Sequence, residues 1–521
     1  MTSAEHGRRH AVGRPASRAT MEHGHLHRVP ITISVTLATV LQAVDMTIAN
    51  VALPHIGGSM SATLEQMDWV LTSYIVAAAI MTPLSGWLAG RFGRKRVLLL
   101  SVIGFTVSSM LCGLAQSIDQ IVLFRLLQGA SGAGLVPLSQ AVLLDINPPE
   151  RHGRAMALWG QGVVLGPMLA PVLGGWLTDN YSWRWVFYIN VPFGVLAAIG
   201  LMVYLRETEP RKTSFDFLGF GALSIAVGAL QLLLDRGELK DWFASPEIWV
   251  ETGVMAMALW VFLVHTFTAR EPFVSPVLFR DRNFAIGNFL IFVVGVVLFA
   301  TLALLPPLLE DLLGYPVTTA GIAMAPRGFG SFVAMSIAGR LIGRVDSRVL
   351  IGAGLGTTAL SLLLMCSYST QMPQGLIWST TFLQGLGTGF AYVTLTTVAF
   401  STLAVQHRSE GTSMFNLLRN IGSSIGIAAT SALLTRNTQV MHERLASHIV
   451  PYGGQIRLPA PYSFTSLAGL TALNAEVTRQ ARMIAYNDDF KLMFLMTLSL
   501  LPLLLLLRPR RGRSEEPLVM E

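Results

Sequence analysis

Long apolar blocks separated by short polar segments run along most of this chain. Each block is about 20 residues long, which is enough for a helix to cross the hydrocarbon core of a membrane. The alternating polarity of a membrane β-strand is absent, and lipid offers no hydrogen bonds to the backbone, so the blocks are expected to be helical. We predict fourteen membrane helices over these approximate ranges: 31–52, 67–89, 97–115, 118–141, 154–177, 185–205, 216–234, 247–268, 284–309, 318–339, 348–367, 374–399, 409–434 and 490–507.

The composition agrees with a protein made largely of membrane helices. Of the 521 residues, 52% are hydrophobic and only 13% are charged, whereas a soluble protein carries about 25% charged residues. The 48 glycines suit helices that pack closely in a bilayer. The two cysteines, Cys112 and Cys366, lie inside apolar blocks and are expected to be packing residues rather than a disulfide.

The distribution of basic residues predicts how the helices are oriented. Arginine and lysine cluster in alternate loops, whereas the short loops on the other side carry only Arg184, Arg236 and Lys240. Because basic loops stay in the cytoplasm, we predict a multi-pass protein of the bacterial inner membrane with both termini in the cytoplasm. The histidine-rich segment 1–28 is expected to be a disordered tail, and a metal site there is the weaker alternative.

Two sequence segments recur in the later part of the chain. Residues 86–91 reappear in altered form as residues 339–344, and residues 127–129 reappear as residues 383–385 at nearly the same spacing. A shared spacing predicts two homologous halves in parallel orientation. Transporters built in this way place the substrate path between the halves.

The repeat predicts an all-α membrane bundle of two six-helix halves plus two inserted helices. Helices 1–6 form the first half, helices 9–14 form the second half, and helices 7 and 8 lie between them in sequence. The predicted parts are a cytoplasmic tail at 1–28, the first half at 29–205, the insertion at 206–270, the second half at 271–507 with an external segment at 435–489, and a second cytoplasmic tail at 508–521.

Several motifs resemble those of one transporter family. Segment 45–54 in helix 1 resembles the opening motif of the fourteen-helix EmrB/QacA drug:proton antiporters of the major facilitator superfamily, and segment 183–192 resembles their junction before helix 6. Residues 86–96 resemble the superfamily loop between helices 2 and 3, and Arg125 with Gln128 resembles the helix 4 motif. The resemblance implies the major facilitator fold, export of drug-like molecules driven by a proton gradient, and no bound cofactor.

The resemblance also implies that certain residues of the loop between helices 2 and 3 take part in conformational gating. These are Gly86, Gly93 and Arg94. The family usually has an acid where this chain has Gly90. A charged latch that needs this acid is therefore in question for this chain.

Helix 5 carries one face without large side chains. Gly162, Gly166 and Gly174 share this face, and Pro167 and Pro171 remove backbone donors nearby so that the helix can bend. The order of these residues resembles the antiporter motif, which implies a close and adjustable contact between the two halves. Simple tight packing is the alternative.

An ionisable residue at membrane depth usually marks a substrate pathway or a proton relay. Asp45 lies well inside helix 1, one turn after Gln42 on the same face, and is the candidate proton carrier. Arg125, early in helix 4, is expected to reset the proton affinity of the carrier as the protein alternates. The alternatives are a permanently hydrogen-bonded carboxylate that braces helix 1, and a fixed ion pair within the first half. Gln42 and Asn50 are candidates for a polar network or for substrate contacts.

The second half carries further polar candidates. Glu310 and Asp311 end helix 9 on the outer side and predict an acidic mouth, with an ordinary solvated helix end as the alternative. One candidate lies within helix 10 and three lie together in helix 13, where a buried polar network is expected: Arg327, Asn416, Arg419 and Asn420.

The residue patterns exclude several classes of membrane protein. An ATP-driven pump needs a glycine-rich phosphate loop that ends in lysine, and no lysine of this chain follows such a pattern. The apolar blocks contain no cluster of metal ligands and no cysteine paired with a histidine, so an enzyme is not expected. We expect an exporter of small hydrophobic or cationic molecules in exchange for protons. An exporter of one endogenous metabolite, an importer or uniporter, and a transport-inactive sensor stay open as alternatives.

The expected partners are a small-molecule substrate and the lipid bilayer, and no nucleic acid. The external segment 435–489 lies on the side where a periplasmic adaptor protein would dock. A transporter that works without an adaptor is the alternative.

Overall fold

The computed structural model describes residues 27–210, 214–449 and 461–508 of the chain. These residues form an all-helical bundle of fourteen long helices without a β-sheet. The helices are α1 (Arg28–Met60), α2 (Leu64–Phe92), α3 (Arg94–Leu114), α4 (Ile118–Ile146), α5 (His152–Asn180), α6 (Trp185–Tyr204), α7 (Phe217–Arg236), α8 (Pro246–Thr268), α9 (Arg282–Pro307), α10 (Val317–Leu341), α11 (Ser347–Met365), α12 (Gln374–Ser401), α13 (Arg408–Ser447) and α14 (Leu467–Ser499).

Each predicted apolar block overlaps one of these helices, and the last block, 490–507, continues past α14 into a short 3-10 helix, Leu501–Leu506. Twelve of them are long and apolar enough to cross a membrane by length and composition. The other two, α10 and α12, pack closely against each other within the second half. α12 is rich in glycine and threonine, and hydroxyls such as those of Thr394 and Thr397 donate to backbone carbonyls one turn earlier. These hydroxyls are therefore satisfied inside the helix, which lets a less apolar helix occupy the bundle interior.

The largest difference from the predicted elements lies near the end of the chain. α13 continues to Ser447 and α14 begins at Leu467, so the described parts of segment 435–489 are largely helical extensions. The predicted helical stretch 477–486 is confirmed. The external segment is expected to extend to residue 489, but Tyr486 and Asp489 are buried. α14 therefore enters the buried part of the second half before its apolar block at 490–507 begins. The loop expected at 451–461 lies, except for its last residue, outside the described residues.

Side-chain caps and one glycine set several helix ends. Thr63 and Gln66 form a reciprocal capping pair at the start of α2, and Asp281 and Asp346 cap the starts of α9 and α11. Gly93 separates α2 from α3 with φ 96°, a backbone conformation that favours glycine. This sharp junction lets α3 begin immediately after α2.

The two halves show the predicted repeat in their packing. Gly129 of α4 lies against the backbone carbonyl of Tyr74 in α2, and Gly385 of α12 lies against the backbone carbonyl of Arg327 in α10. At either glycine, a side chain would collide with the neighbouring backbone. The recurring glycine therefore permits the same close helix crossing in both halves.

A second pair of glycines brings the halves together. Gly86 of α2 approaches the start of α13 near Ser409, and Gly339 of α10 approaches the start of α5 near Gly153. Both contacts lie where α3, α5, α11 and α13 begin. This end of the bundle is rich in arginine and is named the basic end below, and the opposite end is named the far end.

The two inserted helices lie beside the halves. α7 packs against α2 and α13, while α8 packs mainly on α7 and has few buried residues. Hydrogen bonds of α7 reach both halves, since Asp235 accepts from Thr72 and Gln231 accepts from Ser424. The insertion therefore contacts the first and the second half at once.

We expect alanine at Gly385 to destabilise the protein, because the added Cβ would overlap the carbonyl oxygen of Arg327. Overpacking of this kind costs about 1–3 kcal/mol. Gly356→Ala in α11 is the matched control, since nothing lies within 4 Å of its added Cβ and alanine favours helices. Thermal unfolding in detergent should show a lower midpoint for Gly385→Ala only. Equal midpoints for the two variants would contradict the close crossing.

Candidate functional site

A buried ion pair links α1 to α4 in the first half. The Arg125 guanidinium donates to the Asp45 carboxylate at 2.5 Å, and the two side chains are 1% and 0% exposed. Opposite charges at membrane depth are tolerated when they neutralise each other and when their remaining hydrogen-bonding positions are filled. The two residues predicted for proton coupling therefore meet directly.

Two amide side chains complete the surroundings of this pair. Gln128 of α4 donates to Asp45 at 2.8 Å and accepts from Arg125 at 2.9 Å. Asn190 of α6 donates to Asp45 at 2.9 Å and to Ser109 of α3 at 3.0 Å. Asp45, Arg125, Gln128 and Asn190 are named the polar cage below. The cage ties α1 to α4 and α6 through a single carboxylate.

Aromatic rings shield the polar cage from water. Cζ of Arg125 lies 4.3 Å from the ring centre of Tyr74 and 6.0 Å from that of Phe187. All four cage residues are buried. A carboxylate held in this way is stable while it is charged and paired, and a proton on Asp45 would remove the charge that holds Arg125. The geometry can therefore convert a protonation event into a movement of α1 relative to α4.

Half of the polar cage is predictable from charge alone. Asp45 and Arg125 are charges at membrane depth, whereas Gln128 and Asn190 appear in the sequence only as members of motifs. Gln128 lies one turn after Arg125 in α4, and this spacing indicates that the two side chains are neighbours on one helix face. The hydrogen bonds of Asp45 do not include Gln42, which is half-buried, or Asn50, which is exposed.

A second polar network crosses the interface between the halves. Asn416 of α13 donates to Gln140 of α4 at 2.7 Å. The hydroxyl of Tyr392 in α12 accepts from Gln140 at 3.4 Å and from Arg419 at 3.1 Å. Arg419 also donates to Asn420 at 3.2 Å. The structure therefore brings the three polar candidates of α13 into one network, which reaches the first half through Gln140.

An aromatic pair lies beside this network. The ring of Trp159 in α5 stacks on Tyr392 with ring centres 6.5 Å apart, and its indole N–H donates to Thr39 of α1 at 3.1 Å. Aromatic rings with a few adjacent polar groups are typical of small-molecule sites. The sequence does not single out Gln140, Trp159 or Tyr392 as site residues, because all three are neutral and a charge at membrane depth is the signal that marks such a site.

Two arginines of the second half have no carboxylate within ion-pair distance among the described residues. Arg327 is buried in α10 and donates to the backbone carbonyl of Leu298 in α9 at 2.9 Å. Arg419 donates to neutral side chains only. A cation without a counter-ion at this depth is costly, and an acidic group bound next to it would lower that cost.

The two acids predicted at the end of α9 lie apart from both networks. The wider helical turn Leu308–Leu312 follows α9 and carries Glu310 and Asp311. Asp311 is exposed and forms an ion pair with Arg482 of α14 at 3.5 Å. The expected acidic mouth is therefore partly neutralised by a neighbouring cation.

Charged residues clamp the halves together at the basic end. Arg94 at the start of α3 forms an ion pair with Asp145 at the end of α4, and Asp145 accepts from Arg408 at the start of α13 at 2.9 Å. Nε of Arg94 also donates to Ser409 at 2.7 Å. A charged latch is therefore present although Gly90 replaces the usual acid, and Asp145 is the acid that joins the halves.

The direct polar contacts between the two halves share one location. Within the described ranges, hydrogen bonds join α1–α6 to α9–α14 in the basic-end half of the bundle. Besides the clamp, Ser85 and Ser413 are hydrogen-bonded at 3.1 Å, and Gln161 of α5 donates to Ser336 of α10. The conformation described here is therefore closed at the basic end.

The small face of α5 contacts α1 and not the other half. Side chains added at its glycines would collide with residues of α1, at Gly162, Gly166 and Gly174. The expectation that this face joins the halves is wrong for this conformation, because α1 of the same half fills it. Pro167 and Pro171 lie within the same stretch of α5. Other positions of α5 contact α10, where Ala157 lies against Gly339 and Met168 lies against Gly328.

Comparison with known proteins identifies the family. Residues 35–427 match the sequence profile of the Major Facilitator Superfamily. This chain belongs to the major facilitator superfamily. It is 36% identical to the multidrug export protein EmrB of Escherichia coli (strain K12) over 476 residues, covering 89% of this chain and 92% of EmrB. It is 35% identical to the fatty acid resistance protein FarB of Neisseria gonorrhoeae over 486 residues, covering 92% of this chain and 96% of FarB.

Solved structures of the superfamily share the fold. The proton:xylose symporter XylE matches with a TM-score of 0.60 at 14% identity, covering 91% of this chain and 96% of XylE. The human organic anion transporter MFSD10 matches with a TM-score of 0.58 at 13% identity, covering 91% of this chain and 99% of MFSD10. The predicted fold class and the predicted EmrB/QacA family are thus confirmed. The chain is a multi-pass membrane transporter of small molecules.

We expect the clamp at the basic end to open when Asp145 loses its charge. Asp145→Asn removes the counter-ion of Arg94 and Arg408, and hydrogen bonds to a charged group contribute about 1.5–3 kcal/mol each. A cysteine placed at Ser413, in a protein whose two native cysteines are replaced by serine, should then react several-fold faster with a membrane-impermeant thiol reagent.

Asp281→Asn is the matched control for this experiment. It removes a carboxylate that caps α9 within the second half, and its bonds do not reach the first half. Labelling should stay at the wild-type rate in this control. An unchanged rate in Asp145→Asn would show that the clamp does not hold the halves together.

Proposed function

We propose that this protein exports small drug-like molecules across the bacterial inner membrane in exchange for protons. One observation carries the proposal, namely a fully buried carboxylate whose only charged partner in the polar cage is Arg125. Such a carboxylate has two stable states, charged and paired or protonated and released. The similarity to EmrB over most of both chains supports the direction of transport.

We infer that the basic end faces the cytoplasm, with both termini on that side. Arginine-rich loops stay in the cytoplasm during insertion. Because the halves are closed at the basic end, the conformation described here would be the one that faces outward. In this conformation Asp45 is paired with Arg125 and shielded from water.

The helix contacts supply a route from the proton to the interface between the halves. Protonation of Asp45 leaves Arg125 with neutral partners only, namely Gln128 and the backbone carbonyl of Val70. α1 is then free to move relative to α4. The small face of α5 packs tightly on α1, so α5 would follow, and α5 carries the contact with α10. Loss of one charge would thus be transmitted to the second half through packed helices.

We infer that acidic amphiphiles are among the molecules exported. Arg419 lies at the interface without a carboxylate partner among the described residues, next to the stacked rings of Trp159 and Tyr392. A bound carboxylate would bond to Arg419 while its apolar part lies on the rings. The name of the relative FarB, a fatty acid resistance protein, supports this class.

Other transport modes are less well supported. An importer, a uniporter or an exporter of one endogenous metabolite would need no change in the fold. The near full-length similarity to EmrB and FarB favours export over these modes. The complete polar cage favours an active transporter over a transport-inactive sensor.

A periplasmic adaptor protein stays a prediction. The extensions of α13 and α14 at the far end offer a helical surface for it, and they are joined by a hydrogen bond between His442 and Asn474 at 3.0 Å. These extensions are mostly exposed. A transporter that works alone is the alternative.

We expect Asp45→Asn to abolish uphill export. It also leaves the buried charge of Arg125 unpaired, which costs about 3–5 kcal/mol. Loss of export by this variant alone therefore does not distinguish a folding defect from a loss of proton coupling. The double variant Asp45→Asn/Arg125→Gln removes both charges and restores a neutral cage. We expect it to accumulate in the membrane, to exchange substrate down a gradient, and to show no response to an imposed pH gradient in vesicles.

The double variant separates the two interpretations of the pair. If the ion pair only braces the first half, the neutral cage should restore uphill export to near the wild-type rate, and the proposal would be wrong. If Asp45 carries the proton, downhill exchange should return without coupling.

We expect Arg419→Gln to weaken transport of an acidic amphiphile selectively. Loss of one charge-assisted hydrogen bond corresponds to roughly a tenfold increase in the KM for a fatty acid. The KM for a neutral dye should change by less than about twofold. Arg436→Gln is the matched control, because Arg436 is exposed on the extension of the same helix. An equal loss for both substrates would rule out a contact with the carboxylate.

A further inference from the structure

A large cavity opens at the basic end, apart from the polar cage and the interface network. It has a volume of about 1260 Å³ and lies between α5 of the first half and α10, α11 and α12 of the second half. Two acids, Glu150 and Asp346, lie in its wall. The wall also carries six arginines: Arg151, Arg154, Arg340, Arg344, Arg348 and Arg508.

The positive charge of this wall is only partly compensated, since two acids face six arginines. Across the described residues, none of the six arginines forms an ion pair with a carboxylate. Arg340 donates only to the backbone carbonyl of Ser336, at 3.5 Å. Arg348 donates to the backbone carbonyl of Leu507, and its Nε is buried without a partner. Asp346 is engaged as the cap of α11. A concave surface with this excess of charge attracts anions.

We propose that the cavity binds the phosphate-bearing headgroup of an anionic phospholipid from the cytoplasmic leaflet. The guanidinium fork matches phosphate oxygens through two parallel hydrogen bonds. The cavity lies at the ends of membrane helices, which is the level of the headgroups, and basic pockets between helices on this side are suited to such lipids. The proposal rests on the orientation proposed above, with the basic end in the cytoplasm.

The size and the lining of the cavity favour a lipid over a small soluble anion. Small-molecule pockets usually measure roughly 300–1,000 Å³, and this cavity is larger. Leu158, Ile342 and Val398 give it apolar walls beside the arginines. A glycerol backbone and the start of an acyl chain can lie on these walls while phosphates bond to the guanidinium groups. A lipid with two phosphates, of the cardiolipin type, fits both features.

A bound lipid would connect the two halves. Arg151 and Arg154 belong to the first half, and the other four arginines belong to the second half. A headgroup that bonds to both sets stabilises the conformation closed at the basic end. The lipid content of the membrane would then adjust how readily the transporter opens toward the cytoplasm.

The test compares the purified wild-type protein with a triple variant, Arg154→Gln/Arg340→Gln/Arg344→Gln. These three arginines are exposed and lie outside the polar cage, the interface network and the clamp. Cardiolipin added to protein in detergent micelles that contain phosphatidylcholine should raise the thermal midpoint of the wild type and stay bound in native mass spectrometry. At about fivefold per arginine, the loss of three arginines should weaken cardiolipin binding by about a hundredfold.

Two controls make the result specific. Arg270→Gln/Arg280→Gln/Arg282→Gln removes three exposed arginines at the basic end outside the cavity and should bind cardiolipin like the wild type. All variants should keep the wild-type midpoint in phosphatidylcholine alone, which shows that they fold. Equal cardiolipin binding by the two triple variants would overturn the site.

A separate measurement tests whether the phosphate that the cavity binds belongs to a lipid or to a free ion. Inorganic phosphate or pyrophosphate, added at the cardiolipin concentration to protein in the same detergent and phosphatidylcholine micelles, should leave the midpoint unchanged. The same stabilisation by these ions would overturn the assignment to lipid. The Asp45→Asn/Arg125→Gln variant should bind cardiolipin normally, so failure of the lipid site and failure of proton coupling are distinguishable.

Discussion

Two opposite charges in the membrane interior, Asp45 and Arg125, constrain the whole first half. Neither charge can leave the other without a cost of several kcal/mol, so α1 and α4 stay together while both residues are charged. Gln128 and Asn190 extend this constraint to the orientation of the carboxylate and to α6. A proton is the smallest change that can release it, and this makes the pair suitable for coupling.

Close packing carries this constraint toward the second half. The glycines of α5 let it lie directly on α1, so a shift of α1 relative to α4 cannot leave α5 in place. α5 meets α10 near the basic end, where the clamp of Arg94, Asp145 and Arg408 also holds the halves. In the proposed mechanism, proton binding and opening take place at separate positions that are connected by rigid helices.

The sequence allows prediction of the helices, the repeat and the two charges of the cage, because each depends on a local property. Hydropathy defines the blocks, recurring glycines define the halves, and a charge at membrane depth is conspicuous. Neutral partners such as Gln140 and Tyr392 are not predictable, since nothing in their sequence surroundings shows that they face the other half. The contact made by the glycines of α5 is also not predictable, because a small face specifies a close neighbour without specifying which helix it is. The role of Asp145 follows from the meeting of three helix ends, α3, α4 and α13.

In the proposed mechanism, Asp45 exchanges a proton during the transport cycle. Infrared difference spectroscopy of the reconstituted protein, comparing substrate-bound and substrate-free samples, measures this directly. We predict a band of a protonated carboxyl group that changes on substrate binding in the wild type and is absent from Asp45→Asn/Arg125→Gln. Asp489→Asn, which removes the buried acid of α14, should keep the band. The same band in the wild type and in the double variant would show that the proton carrier is a residue other than Asp45.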